Sequence, residues 1–317
     1  MTIDASVKAV LDYFPQLPKT LTPELINQIR QQQLLLIPAE EHRPTVKNVE
    51  NLLIEGPNGD IPIRAYTPDT LEEKLPALVY YHGGGWTTGN VDTYDVVCRN
   101  LANSSGHKVI SVDYRLAPEH RFPKGLEDCY AAAQWVFDHA DTLQVIPYQI
   151  SVGGDSAGGN YTAAVTLMAK ERKGPNIKSQ LLIYPATDAL RSINDSPYES
   201  IRENASAPIL TSSLTKSFWD HYLNNEEDAE NTYASPIKAE DVSELPPALL
   251  ITAQYDPLRD EGESYGARLQ ASGVDVDMHR YDGLIHGFIQ LPIPINEDVF
   301  QMIGRFLNKR ISSVSTK

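Results

Sequence analysis

The apolar and polar positions along the chain divide it into a helical opening and a long alternation of strands and helices. From Ile3 to Tyr13 apolar residues recur at helical spacing, and Pro15 and Pro18 then interrupt the pattern. Thr22-Pro23-Glu24 reads as a helix start, with Thr as N-cap, Pro at the first helical position and an acid in the first turn. Leu25, Ile26, Ile29 and Gln33 would follow on one face. From Val46 the character changes. Val46–Ile54 and Ile61–Tyr66 flank Pro57-Asn58-Gly59-Asp60 and predict a hairpin, in which Asn-Gly supplies the positive φ angles of a tight turn. Further strands are predicted at Ala77–Tyr81, Lys108–Asp113, Gln149–Val152, Gln180–Tyr184, Ala248–Thr252 and Val274–Tyr281. Helical stretches lie between most of them, notably Gly125–His139, Ala157–Arg172 and Glu261–Ser272. Apolar strands alternating with helices predict a mostly parallel sheet covered on both faces. Between Pro185 and Pro236 the chain is instead polar and rich in Ser and Asn, with a helix expected at Ser213–Leu223. So long a gap between consecutive strands marks an inserted element, which could form a lid with the N-terminal helices.

Composition leaves this picture intact. Of the 317 residues 41% are apolar and 22% charged, ordinary values that exclude disorder as the default state. One large domain with an accessory piece fits that length as well as two domains do. Charge is the skewed quantity. Lys and Arg total 27 against 42 Asp and Glu, a net charge of −15 that repels phosphate backbones and anionic headgroups. Neither nucleic acid nor an acidic bilayer is expected as a partner. Cys98 and Cys129 are too few for a disulfide scaffold and are expected as isolated buried thiols, although one bridge stays open. Met1-Thr2-Ile3-Asp4 carries an early acid and no apolar core, unlike a signal peptide, and no run approaches the ~18 apolar residues of a membrane span. The expected location is the cytoplasm.

The chemistry starts at Gly154-Asp155-Ser156-Ala157-Gly158. This Gly-x-Ser-x-Gly run directly follows the strand ending at Val152 and opens the helix from Ala157, the strand–turn–helix setting that lifts a serine nucleophile clear of a sheet. Small flanking residues are required because larger side chains would clash with the turn. Upstream, His82-Gly83-Gly84-Gly85-Trp86 follows the strand Ala77–Tyr81, and its glycines let backbone N–H groups point at a developing oxyanion. A phosphate cradle would need a Lys-Ser/Thr pair that does not follow. Eight histidines compete to be the base. His286 is chosen because it lies in a Gly-flanked loop after the last strand, where such sheets place their chemistry, whereas His279 falls inside a strand and His82 belongs to the glycine motif. Asp256 is the candidate carboxylate in the loop after the penultimate strand; Asp260 and Glu261 should lie in the next helix and point away.

Together His82-Gly83-Gly84-Gly85, the block Asp113–Pro123, Gly154-Asp155-Ser156-Ala157-Gly158-Gly159, Asp256-Pro257-Leu258-Arg259-Asp260-Glu261-Gly262 and His286-Gly287-Phe288 resemble the bacterial hormone-sensitive-lipase-like esterases, in the branch with a Gly-Asp-Ser-Ala-Gly elbow. The resemblance implies an α/β-hydrolase fold: a mostly parallel central eight-stranded sheet flanked by helices, with a helical cap. The core would take residues 46–185 and 236–317 and the cap residues 1–45 and 186–235. It implies hydrolysis of short- to medium-chain acyl esters without cofactor or metal. Ser156 would be the nucleophile, His286 the base then acid, and Asp256 its orienter. The oxyanion hole would fall at the N–H groups of Gly84, Gly85 and Ala157, with Gly83 shaping the turn, and cis bonds are implied before Pro118 and Pro123. Trp86, with Phe218, Trp219 and Tyr222 of the insertion, would wall the substrate pocket, although aromatics so spaced also pack helices.

Two further readings stay open. The same tetrahedral chemistry serves an amide substrate, and relatives that have lost the histidine bind a ligand without turnover. In this family the last strand can also pair across a homodimer. Here Val274-Asp275-Val276-Asp277-Met278 alternates apolar and acidic residues, and edge charges oppose such pairing. Because His286 must be neutral to accept the serine proton, activity is expected to fall as acid protonates it; a rate that stays flat down to about pH 4 would remove His286 from that role.

Overall fold

Side-chain alternation along the strands sorts the core into two layers. In β3 (Leu75–Tyr81), Ala77, Val79 and Tyr81 enter the apolar cluster on one face, and Leu78 and Tyr80 the cluster on the other. All five are fully buried, which is why the run reads as continuously apolar. The structure, a computed structural model, describes residues 2–12, 18–190 and 192–312; Tyr13 and Pro15 of the sequence reading lie outside them.

The remaining strands are β1 (Asn48–Ile54), β2 (Ile61–Thr67), β4 (Lys108–Val112), β5 (Val145–Asp155), β6 (Gln180–Ile183), β7 (Ala248–Tyr255) and β8 (Val276–Ile285). They form one eight-stranded sheet in the order β1-β2-β4-β3-β5-β6-β7-β8. β2 pairs antiparallel with β1 and β4, and every other pairing is parallel. The sheet is therefore an α/β-hydrolase sheet. After β3 the chain moves out to β4 and then crosses back to β5, so β3 and β5 are neighbours at a topological switch point. Such points open a crevice at the carboxyl ends of the strands. Tyr81 stands opposite Gly154 there, so the loops leaving both strands start side by side.

Helices α1 (Ala5–Leu11), α3 (Asp95–Ser105) and α9 (Ile295–Ser312) serve one face, where Val7, Leu101, Ile303 and Leu307 share a cluster. The other face carries α2 (Pro23–Leu35), α4 (Lys124–Asp138), α5 (Ala157–Arg172) and α7 (Ser212–Tyr222). α6 (Glu199–Glu203) lies with α7 in the polar insertion, and α8 (Arg259–Ala271) packs beside β7. α2 starts as its sequence predicts, with the Thr22 side chain accepting from Leu25 N–H. α3 and α9 were not among the predicted helices. The N-terminal helices part company: Asp4 N–H donates to Gly283 O at the end of β8, whereas Leu21 N–H donates to Ser217 Oγ of α7.

The hairpin differs from expectation at its turn. Gly59 takes φ 105 but Asn58 does not enter the positive region. The loop between β1 and β2 is longer than a tight turn, and Asn58 instead donates to Glu127 and receives Arg115 on its carbonyl. Both cysteines are buried and free, and the bonds before Pro118 and Pro123 are cis. β8 is a sheet edge, and Arg310 meets the acids Asp275 and Asp277 beside it.

Asp113, just beyond β4, generates a test. Burial, with the Asp92 charge nearby, raises its pKa to about 6. The folded state therefore favours the neutral acid, and this group's stabilisation is complete below the ordinary aspartate range and lost as pH rises through that value. Asp113→Asn mimics the neutral form. Its unfolding midpoint in urea, relative to wild type, is expected to be higher at about pH 7 than at about pH 4.5. An identical difference at the two pH values would refute the burial account.

Candidate active site

The turn between β5 and α5 holds Ser156 at φ 56 and ψ −118, a left-handed conformation that a non-glycine residue adopts only under constraint. The constraint is visible. A Cβ at Gly158 would stand 1.9 Å from the carbonyl oxygen of Tyr81, so the first turn of α5 lies directly on the end of β3. Ser156 N–H donates to Ile183 O at 2.9 Å, tying the turn to β6. The serine itself stays partly exposed while its neighbours are buried.

His286 comes from the loop after β8 and Asp256 from the loop after β7. His286 Nε2 lies 2.9 Å from Ser156 Oγ, and its Nδ1 lies 2.7 Å from Asp256 Oδ2. Asp256 is fully buried, and its Oδ1 accepts Leu258 N–H at 2.8 Å. The carboxylate thus fixes the ring so that Nε2 faces the serine. Asp260 and Glu261 do start α8 and are used elsewhere: Asp260 accepts Ser200 N–H and Glu261 accepts Thr187 N–H.

The glycine loop sits across the crevice. Gly84 and Gly85 take φ 118 and φ 56, and Gly84 O accepts Thr87 N–H and Thr88 N–H, closing a turn. Among the described residues, no protein acceptor takes the N–H of Gly84, Gly85 or Ala157. Gly83 is different: its N–H is committed to Asp155 Oδ1 at 3.0 Å, which suits a residue that shapes the turn and not a donor to the hole. Asp155 also accepts Tyr80 OH at 2.9 Å and Tyr94 OH at 2.8 Å. Burial raises this carboxyl to about 6 against the opposing pull of the tyrosine hydrogen bonds. His82 is buried, bonded to Gly83 O and stacked on Tyr114 with ring centroids 4.2 Å apart. Burial lowers its pKa to about 4, which keeps it neutral and structural.

Three of the four aromatic candidates are packed away from solvent. Trp86, Trp219 and Tyr222 are buried at 2%, 1% and 0% exposure. Trp86 stacks on Tyr222 at 4.4 Å and 4° and tilts against Trp219 at 4.2 Å, forming a wedge between loop and α7. The spacing reported a packed helix face. Phe218 alone is partly exposed, and it covers Gly85, where a Cβ would meet its Cδ1 at 2.2 Å. A cleft of about 1040 Å³ opens instead beside Gly287, between α2, α3 and the start of α9, with Ile29, Val96, Ile209 and Phe300 in its walls. Among the described residues no cluster suited to a metal ion occurs. Tyr94, Asp155 and Arg30 are the site-adjacent residues that sequence reasoning did not assign.

Residues 78–290 match the family model of the α/β-hydrolase fold. The chain is 38% identical over 296 residues to the carboxylesterase NlhH of Mycobacterium tuberculosis, covering 92% of this chain and 91% of that protein. It is 34% identical over 310 residues to an arylesterase of Saccharolobus solfataricus, covering 97% and 98%. The solved hyperthermophilic esterase of Pyrobaculum calidifontis superposes with a TM-score of 0.90 at 41% identity, covering 98% of this chain and 99% of that one.

Gly85→Ala would force a side chain into the Phe218 ring at a φ that costs about 1–2 kcal/mol for an L-residue. Expected is a loss of kcat of about tenfold or more, partly regained by adding Phe218→Ala. If the double variant were no faster than Gly85→Ala, the ring would not be what confines the loop.

Proposed function

The chain belongs to the α/β-hydrolase family, among its hormone-sensitive-lipase-like esterases, and from that membership we infer a serine carboxylesterase acting on short- to medium-chain acyl esters. The observation that carries this reading is the continuous hydrogen-bonded line from the partly exposed Ser156 Oγ through His286 to the buried Asp256.

Each step has its group. His286 Nε2 takes the Ser156 proton as Oγ attacks the ester carbonyl, and Asp256 stabilises the imidazolium that forms. The carbonyl oxygen becomes an oxyanion facing the N–H groups of Gly84, Gly85 and Ala157, the last at the positive end of the α5 dipole. His286 then protonates the departing alcohol, leaving an acyl-Ser156 ester. Water, deprotonated by the same nitrogen, repeats the sequence and releases the acid. No cofactor enters.

The cleft beside Gly287 opens next to His286, and its walls mix aliphatic side chains with Gln33, Asn100 and Gln290, a lining that suits an acyl ester. The acidic surface fits a small ester as partner, with neither nucleic acid nor a membrane. Among the described residues no helix is long and apolar enough to cross a membrane. We place the enzyme in the cytoplasm, a reading supported by the unpaired thiols Cys98 and Cys129. Pairing of β8 across a homodimer belongs to the same proposal; the strand is a sheet edge, and Met278 on it is 38% exposed.

Hydrolysis of p-nitrophenyl esters from acetate to palmitate, by wild type and Ser156→Ala, tests the reading. The short esters are expected to turn over, with kcat lower by about 10⁴-fold or more in the folded variant. Folded wild type that cleaves no ester but does cleave an anilide would make it an amidase; cleavage of neither would make the triad idle.

A further inference from the structure

Helix α2 grips the oxyanion loop from behind through one fully used guanidinium. Arg30 Nε donates to Thr87 O at 2.8 Å and Nη2 to Ala117 O at 2.9 Å. Nη1 donates to Asn27 Oδ1 at 3.2 Å, and the Glu119 carboxylate receives Nη1 and Nη2 at 2.8 and 2.9 Å. An arginine has five N–H donors, and here every one has an acceptor. The contacts converge on the loop. Thr87 N–H is held by Gly84 O, Trp86 O accepts Ala117 N–H, and one turn further along α2 Gln33 Oε1 accepts Gly89 N–H at 3.3 Å. Thr87 and Ala117 are buried, so their carbonyls would lose their partners without the guanidinium. The half-exposed ion pair with Glu119 alone contributes little, because solvent screens it.

We propose that Arg30 is a positioning residue of the hydrolysis: by holding Thr87 and Ala117 it sets the peptide planes of Gly84 and Gly85, so the oxyanion hole takes its shape only with α2 docked. The proposal rests on the ester hydrolysis assigned to Ser156. Its chemical content is specific. The groups it positions bind the oxyanion and not the resting ester, so losing Arg30 reduces the rate of the chemical step and leaves ground-state binding alone.

Arg30→Ala, Arg30→Lys and Glu119→Gln are to be compared with wild type on p-nitrophenyl acetate, together with inhibition by a trifluoromethyl ketone, whose adduct with Ser156 places an oxyanion in the hole. For Arg30→Ala the expected result is kcat lower by about tenfold or more with KM within about twofold, and ketone affinity weakened by the same factor as kcat/KM. Added guanidinium ion should restore part of that loss and leave wild type unimproved. Arg30→Lys should stay impaired, because one ammonium cannot reach both carbonyls and the carboxylate. Glu119→Gln should keep kcat within about threefold of wild type. An unchanged kcat in Arg30→Ala, a change confined to KM, or an equal loss in Glu119→Gln would overturn the proposal. Should Arg30→Ala not fold, Arg30→Lys carries the test alone, with the same kcat-selective loss expected and an unchanged kcat overturning the proposal. Absence of turnover in wild type would instead sink the esterase reading itself.

Discussion

The active site depends on how closely the first turn of α5 lies against the end of β3. At Gly158 there is no room for a side chain, because the Tyr81 carbonyl stands where the Cβ would go. That contact holds the nucleophile turn in its left-handed conformation and puts the loops after β3 and β5 in one crevice. Asp155 then fastens the two loops together by accepting the Gly83 N–H. A residue from the nucleophile's loop thus orients the loop that supplies the oxyanion donors. The distance between attacking oxygen and donor groups is set by main-chain geometry before any substrate arrives.

Such a link requires an acid to be buried beside a reacting centre, and the local chemistry shows how that is tolerated. Tyr80, Tyr94, Tyr184 and Gly83 give Asp155 four donors, which offset part of the desolvation penalty and leave its pKa at about 6. Gln290 Nε2 donates to Tyr94 OH, so the wall of the cleft beside Gly287 touches the same network. Asp256, equally buried, has a different task. It faces His286 and a backbone N–H, and its charge acts on the ring that carries the proton.

The parts of this arrangement that were legible in the sequence are those that chemistry confines to a few consecutive residues. The elbow around Ser156, the run Gly83–Gly85 and the loops carrying Asp256 and His286 each leave a local mark. The strands were legible because both faces of the sheet are covered. α9 also carries a readable pattern, with the buried Val299, Ile303 and Phe306 at helical spacing. Other features had no local mark. The aromatic positions on α7 show which residues share a face, and the face that is buried depends on where Trp86 lands. Nothing in the glycine run itself marks Gly83, and not Gly84, as the one whose N–H meets Asp155. Arg30 reaches partners far away in the chain, and its neighbours in α2 read as an ordinary polar face.

A hole at Gly84, Gly85 and Ala157 would consist of main-chain N–H groups, whose directions are set by backbone geometry and not by side-chain rotamers. Its shape therefore depends on what presses on the loop. Three supports do so: Asp155 of the turn before Ser156, Phe218 with the Trp86–Tyr222 wedge from α7, and the guanidinium of α2. Two of these come from the helices α2, which precedes the first strand, and α7, which lies in the insertion between β6 and β7. Those segments therefore do more than cover the cleft. Their docking completes a geometry that the sheet alone leaves unsupported, and a change in how α2 or α7 sits should be felt in the rate of the chemical step as well as in which esters enter.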